Sequence, residues 1–168
     1  MRKIIIFGNS GSGKSTLAKE LCAEHNLSHL DLDELAWMQT SPPERAPLEE
    51  SGTAIQAFAA TNNGWVIEGC YIDLMEIAAP LSEEIIYLNL PVELCIENAK
   101  KRPWEPHKYE SKEAQDANLS MLLAWIKDYE QRQDTFSKAA HMDFYTSYPG
   151  KKTMHKDNER ESELEAML

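Results

Sequence analysis

Gly8-Asn9-Ser10-Gly11-Ser12-Gly13-Lys14-Ser15, entered from Ile4-Ile5-Ile6-Phe7, is the stretch that decides how this chain folds. The eight residues have the form G-x-x-x-x-G-K-[ST], and the apolar run before them suits a buried central strand. Behind them, Leu17, Ala18, Leu21 and Cys22 recur at helical spacing over Lys14 to His25. Strand, glycine loop and helix therefore follow in the order that a phosphate-cradling loop requires. Glycines permit positive φ and leave no Cβ where backbone must wrap a polyphosphate, so successive N–H groups and the helix N-terminus can face the anion. The pattern predicts that a nucleoside triphosphate, taken as ATP although the loop does not choose between ATP and GTP, binds through Gly8, Asn9, Ser10, Gly11, Ser12, Gly13, Lys14, Ser15 and Thr16. Lys14 is expected to reach the β and γ phosphates and Ser15 to hold Mg²⁺ through its hydroxyl.

With 168 residues, the chain has room for one α/β domain over 1–168 and not for a second independent one. No run approaches the length of a membrane span, and Arg2-Lys3 precedes a strand-length apolar stretch, not a secretory leader. A cytoplasmic location with no membrane partner is expected. Cys22, Cys70 and Cys95 form no C-x-x-C pair, and the five histidines show no metal-ligand spacing, so each His is expected at the surface or partly packed. The formal net charge of −11 argues against a nucleic-acid partner, because affinity for a phosphate backbone comes mainly from Lys and Arg. From Glu20 to Glu97 fifteen carboxylates accompany one basic residue, Arg45, while Lys100, Lys101, Arg102, Lys108 and Lys112 cluster immediately afterwards.

Further along, Ser28 to Leu32 suits a second strand that delivers Asp31 and Asp33 at its C-terminal end. Ser41-Pro42-Pro43 interrupts the chain, and Pro47 opens a helix to about Ala60 that Asn62-Asn63-Gly64 ends. Trp65-Val66-Ile67, closed by Glu68-Gly69, is a third strand, and Glu84 to Leu90 is a fourth, apolar enough to be covered on both faces. Pro91 starts a helix that stops at Arg102-Pro103, and Trp104 to Glu110 reads as a loop. Leu119, Leu122, Leu123, Ile126 and Tyr129 mark one long amphipathic helix, or two joined ones, from about Ser111 to His141. Asp143 to Ser147 reads as the last strand, with a tail of about 150–168 whose acidic end, from Asp157, forms a short helix or frays. Strands alternating with helices predict a parallel sheet with helices on both faces. Ligands in such sheets sit beyond the carboxyl ends of the strands, which collects the glycine loop, Asp31, Asp33, Glu68, Gly69 and Asn89 on one rim.

With the loop, Leu30-Asp31-Leu32-Asp33-Glu34-Leu35-Ala36-Trp37 and Trp65-Val66-Ile67-Glu68-Gly69-Cys70-Tyr71 in hand, the chain resembles the adenylate-kinase-like DNA topology modulation proteins over about residues 3 to 105. These are related to shikimate and gluconate kinases. The resemblance implies a three-layer P-loop NTPase fold, a five-stranded parallel sheet of order 2-3-1-4-5 and a mobile lid after the fourth strand. It makes Lys14 and Ser15 the phosphate and Mg²⁺ ligands, puts Asp31 or Asp33 beside metal and acceptor, and makes Arg102 the lid arginine that approaches the transferring phosphate. Glu68 stands where that pattern has Asp, Cys70 where it has Asn, and Asn98 where relatives often carry Arg.

Phosphoryl transfer asks a protein mainly for positioning and charge neutralisation, and a hydroxyl acceptor also needs a carboxylate to orient it or take its proton. Asp33 is the candidate for that role, with Asp31 nearer the metal. The lid reading, about 102–116, rests on Lys100, Lys101, Arg102 and Lys108: Lys100 and Lys101 read as cations complementing the preceding helix C-terminus and Arg102 as the functional group, with Arg132, further along the chain, as its reserve. In the acceptor-binding flap, about 34–63, Arg45 stands alone against Glu34, Glu44, Glu49 and Glu50. A nucleoside monophosphate needs several cationic donors. The flap therefore favours a hydroxyl-bearing, neutral or cationic small molecule, with Asp33, Trp37, Arg45, Glu68, Gly69 and Tyr71 around it. The competing expectation is a regulatory nucleotide-binding ATPase acting through a partner.

Overall fold

Alternation along the first strand builds two hydrophobic cores at once. In β1 (Lys3–Gly8), Ile5 and Phe7 join one buried cluster and Ile4 and Ile6 another, because successive side chains leave a strand on opposite faces. The computed structural model describes residues 1–159. After β1 come α1 (Lys14–His25), β2 (Ser28–Asp31), α2 (Asp33–Ala36), the short strands β3 (Trp37–Met38) and β4 (Glu44–Arg45), and α3 (Leu48–Thr61). Then follow β5 (Trp65–Gly69), α4 (Ile72–Ala78), β6 (Glu84–Leu88), α5 (Val92–Lys101), α6 (Lys112–Lys127), α7 (Lys138–Ser147) and β7 (Lys151–His155).

The main sheet has the order β2-β5-β1-β6-β7 with every pairing parallel. Counting its own strands, this is the expected 2-3-1-4-5. β3 and β4 form a separate antiparallel pair that the prolines at 42 and 43 had hidden in the sequence. One face packs Trp65, Ile67, Ile85 and Tyr87 against Ile55 of α3, Leu74 and Met75 of α4 and Phe144 of α7. The other packs Val66, Ile86 and Leu88 against Leu17 and Leu21 of α1, Cys95 of α5 and Ile126 of α6. Burying a large apolar side chain contributes roughly 1.5–3 kcal/mol, so the central strands anchor the rim where the loops gather.

The C-terminal third corrects the sequence expectation. Asp143 to Ser147 is not a strand but the end of α7, and the last strand is Lys151–His155, inside the stretch expected to be tail. Phe144, Tyr145 and Thr146 carry β propensity, yet Ser137 caps this helix by accepting the Ala140 N–H at 3.0 Å, and Phe144 packs edge-on to Phe7. The region expected as one or two helices over 111–141 divides into α6, a 3₁₀ turn at Asp128–Glu130 and α7. β7 shows little apolar pattern because it is an edge strand, and Lys151 pairs there with Glu84 at 3.7 Å. Residues 160–168, the rest of the expected acidic tail, lie outside the described residues. Among the described residues no helix is long and apolar enough to cross a membrane.

Candidate active site

β1 delivers the glycine loop at the carboxyl edge of the sheet, and α1 leaves from it. Gly11 at φ +80° and Gly13 at φ +90° occupy the left-handed region, and a Cβ on Gly11 would lie 2.3 Å from the Cys95 carbonyl oxygen. Asn98 of α5 braces the same turn by donating to the Gly11 carbonyl at 2.8 Å. Asn9 is buried beneath the loop, accepts the Ser10 N–H at 2.8 Å through its side chain and donates to the Ile126 carbonyl at 3.3 Å. Lys14 Nζ donates to the Asn9 carbonyl at 2.8 Å, which folds the lysine over the loop.

This loop forms one side of a cavity of about 540 Å³, a size ordinary for small-molecule sites. Ser10, Gly11, Gly13, Lys14, Ser15 and Thr16 line it together with Asp33, Glu68-Gly69-Cys70, Arg102, Glu105 and Lys108. Gly8, Asn9 and Ser12 lie under the loop and support it. Of the residues expected on the acceptor side, Asp33, Glu68 and Gly69 face the cavity, whereas Trp37, Arg45 and Tyr71 do not line it, Tyr71 standing behind Asp33 through a hydrogen bond and Trp37 being exposed. Arg45 is held bidentately by Asp73 at 3.1 and 3.2 Å, and its guanidinium lies 5.0 Å from the Tyr71 ring centre and 5.6 Å from that of Phe136. The reserve arginine, Arg132, lies elsewhere. Its guanidinium stacks 3.5 Å over Trp125, it donates to the Trp125 carbonyl, and it does not line the cavity.

Two carboxylates meet where β2 and β5 end, because Asp31 and Glu68 are partners in the parallel register. Burial first, and the Asp31 carboxylate second, push Glu68 up to about 8. Ser15 Oγ donates to Glu68 Oε2 at 3.0 Å. This set of hydroxyl and carboxylate oxygens suits Mg²⁺, which prefers oxygen ligands and fills its shell with water and substrate phosphate oxygens. The sequence had paired Ser15 with Asp31; the structure puts Glu68 between them.

Asp33 belongs to a longer chain of contacts. Trp37 Nε1 donates to the Tyr71 hydroxyl at 2.8 Å, and that hydroxyl donates to Asp33 Oδ1 at 2.5 Å. Lys108 Nζ lies 2.9 Å from Asp33 Oδ2 and 3.3 Å from Asp31 Oδ2. Burial works to raise the Asp33 carboxyl, but the Lys108 ammonium and the Tyr71 hydroxyl outweigh it and hold it below its ordinary value. Lys108 is raised in turn, since Asp33 and Asp31 more than offset its own burial. Both charges are thereby fixed across the neutral range.

Lys108 sits in the loop between α5 and α6, whose shape Gln115 sets by accepting the Glu105 N–H at 2.8 Å and donating to the Pro103 carbonyl at 3.0 Å. Arg102 lines the cavity and pairs with Glu105 at 3.3 Å. A second support went unread in the sequence. His141, expected at the surface or partly packed, is fully buried. Its Nε2 bonds the Cys70 carbonyl at 2.9 Å and its Nδ1 the Tyr129 hydroxyl at 2.7 Å, which in turn meets the Tyr87 hydroxyl at 2.5 Å. Burial lowers this imidazole to about 4, so it is neutral and donates to the carbonyl. Burial likewise pushes the Cys70 thiol up to about 12, which leaves it a protonated wall of the cavity and no nucleophile.

Comparison with known proteins fits this geometry. An adenylate kinase from Prochlorococcus marinus (strain MIT 9313) is 27% identical over 114 residues, covering 56% of this chain and 60% of that protein. The match thus spans less than two thirds of that relative's length. A 1.7 Å crystal structure of shikimate kinase from Bacteroides thetaiotaomicron superposes with a TM-score of 0.57 over 99% of this chain and 92% of the other, at 18% identity, a likeness of fold. These similarities support a P-loop, kinase-like NTPase; the narrower DNA topology modulation group is not confirmed by them. A model of the AAA domain family matches residues 4–118, a span that holds the glycine loop, the Asp31–Asp33 pair and Lys108, and the chain belongs to that family.

Proposed function

We propose that this protein is an ATP- and Mg²⁺-dependent kinase that moves the γ-phosphoryl group onto the hydroxyl of a small molecule, and not onto a nucleoside monophosphate. The observation that carries this choice is the commitment of Arg45 to Asp73 and to aromatic faces. The one cation of the flap is thus unavailable to a second phosphate, while Asp33 faces the cavity that Lys14 also lines. Lys14 neutralises the β and γ phosphates, and Arg102, at the start of the lid, approaches the transferring group. Ser15, Glu68 and Asp31 would hold Mg²⁺, which when bound neutralises charge on the phosphate oxygens. Because Asp33 is held ionised, it acts by accepting a hydrogen bond from the acceptor hydroxyl and aiming it. A loose transition state needs little more from a base.

Incubation with γ-labelled ATP and a panel of sugars, polyols, amino alcohols and nucleoside monophosphates tests the reading. Label is expected on a hydroxyl compound, with Lys14→Ala lowering transfer by about 10²–10³-fold and Arg102→Ala by tenfold or more. Preferential labelling of AMP, CMP or UMP would sink it. ATP consumption with no labelled acceptor, joined to nucleotide-dependent association with another macromolecule, would favour the regulatory ATPase.

A further inference from the structure

Resting on the kinase reading, we infer that Lys108 is an autoinhibitory latch. While no acceptor is bound, it fastens the loop between α5 and α6 to the sheet rim and covers the carboxylate oxygen that would otherwise aim water at the γ phosphate. Lys108 Nζ is 2.9 Å from Asp33 Oδ2 and 3.3 Å from Asp31 Oδ2. Asp33 Oδ1 is taken from the other side, since it accepts the Tyr71 hydroxyl at 2.5 Å and Tyr71 does not line the cavity. Oδ2 is therefore the oxygen that Asp33 has left for an acceptor, and the Lys108 ammonium stands on it.

The loop that carries Lys108 is braced from within. Trp104 Nε1 donates to the Tyr109 carbonyl at 3.0 Å, and the Lys108 and Tyr109 N–H groups donate to the Glu105 carbonyl at 2.9 and 3.0 Å. From α6, Gln115 clasps Glu105 and Pro103, and Asn118 donates to the Tyr109 hydroxyl at 2.9 Å. Those bonds stay within the loop and α6, whereas Lys108 crosses to the end of β2 and the start of α2. Its two charge-assisted contacts belong to a side chain only 23% exposed, so salt screens them weakly. Cutting them frees the loop from the rim and leaves intact the bonds that give the loop its shape.

Such a latch separates an acceptor from water. A water molecule brings one hydroxyl group and no further contact, so it does not displace an ammonium held by two carboxylates. An acceptor brings the contacts of its whole body, and these offset the loss of the Lys108 pair, as binding energy drives closure or opening in an induced fit. With Lys108 removed, water takes the place at Asp33 Oδ2. Its oxygen bonds to the γ phosphorus as the bond to the β–γ bridging oxygen breaks. ADP leaves with that electron pair, the proton of the water passes to solvent, and phosphate is released. The latched protein thus holds ATP without hydrolysing it.

Lys108→Met in the full chain tests the latch with no acceptor present. Phosphate release from ATP is expected to rise about tenfold over wild type, the ratio of one charge-assisted contact. Affinity for a non-hydrolysable ATP analogue should stay within about twofold by calorimetric titration. Adding Asp33→Asn to Lys108→Met should abolish the gain, because no carboxylate then aims the water. A second readout does not need turnover: with the analogue bound, amide hydrogen exchange over residues 103–110 should quicken about tenfold in Lys108→Met, with β1 and β5 unchanged. Unchanged exchange in the loop, phosphate release that stays level or falls while the analogue still binds, or a gain that survives Asp33→Asn overturns the latch and leaves the kinase reading standing. No phosphate release from either protein, with no label on any acceptor, removes the kinase reading and the latch with it. Should Lys108→Met fail to fold, Lys108→Gln, which keeps the length of the side chain and loses its charge, is held to the same outcomes.

Discussion

On one side of the cavity, the glycine loop presents backbone from Ser10 to Ser15; on the other, Asp33, Glu68 and Lys108 face it, with Asp31 and Tyr71 bonded behind them, side chains gathered from separated parts of the chain. The first side is shaped by sterics, since Gly11 and Gly13 hold positive φ and Gly11 abuts the Cys95 carbonyl. The second is shaped by charge and hydrogen bonding, since a carboxylate pair, a lysine and a tyrosine hold one another in place. Steric surfaces fail abruptly and electrostatic ones fail by degrees. The two sides should therefore answer mutation and pH differently.

The sharpest break is Gly11→Ala. A Cβ placed 2.3 Å from a backbone oxygen cannot be relieved by rotating a side chain, and the φ of +80° adds strain of order 1–3 kcal/mol. Loss of ATP affinity by 100-fold or more is expected by calorimetric titration, with the sheet intact by circular dichroism. Binding within tenfold of wild type would show that the loop is less sterically determined than its geometry indicates.

The same contrast explains what could be read in the sequence. The glycine loop was legible because its backbone shape restricts residue type at fixed spacing, and the strands around it because burial on both faces leaves apolar runs such as Ile4 to Phe7. The rim was legible in part: Asp31 and Asp33 announce themselves two residues apart, and Glu68 ends a strand. Lys108 was legible only as one of the lid cations; its reach to Asp31 and Asp33 was not, because Gln115 and Glu105 fix its loop over the carboxylates only in the fold. His141 was hidden for the same reason, as its partners Cys70, Tyr129 and Tyr87 are brought together only by α7 packing on the sheet. In α7 itself, tertiary packing of Phe144 overrode local β propensity.

pH should expose the electrostatic side. His141 titrates at about 4 in the fold against an ordinary 6.5, so the unfolded chain binds more protons between those values. Its contribution is complete above 6.5 and is lost as pH falls toward 4, about 3 kcal/mol over the window. Glu68 acts oppositely: raised to about 8 from 4.5, it gives stability that is present below 4.5 and lost as pH rises through 8. Urea melts from pH 4 to 9 should therefore show two partly cancelling slopes in the wild type. His141→Gln removes the acid-side loss, and Glu68→Gln removes the decline toward alkaline pH. Unchanged slopes in both variants would mean that neither group is linked to folding.

Tyr71→Phe gives the smallest and most selective effect, because it removes one hydroxyl from behind the wall and touches nothing on the loop side. That hydroxyl receives the Trp37 N–H and donates to Asp33 Oδ1 at 2.5 Å, so it links the flap to the carboxylate that aims the acceptor. A hydrogen bond to a charged group contributes about 1.5–3 kcal/mol, and part of it is regained when Asp33 turns toward water or toward Lys108. Asp33 then loses one of the donors that hold its carboxyl low, and its pKa moves upward. Acceptor KM should rise by about tenfold, equivalent to about 1.4 kcal/mol, while the KM for ATP stays within twofold. Steady-state kinetics with each substrate varied in turn separates the two. A parallel rise in both constants would mean that the steric and electrostatic sides of the cavity are mechanically one unit, since nothing but wall connects Tyr71 to the glycine loop.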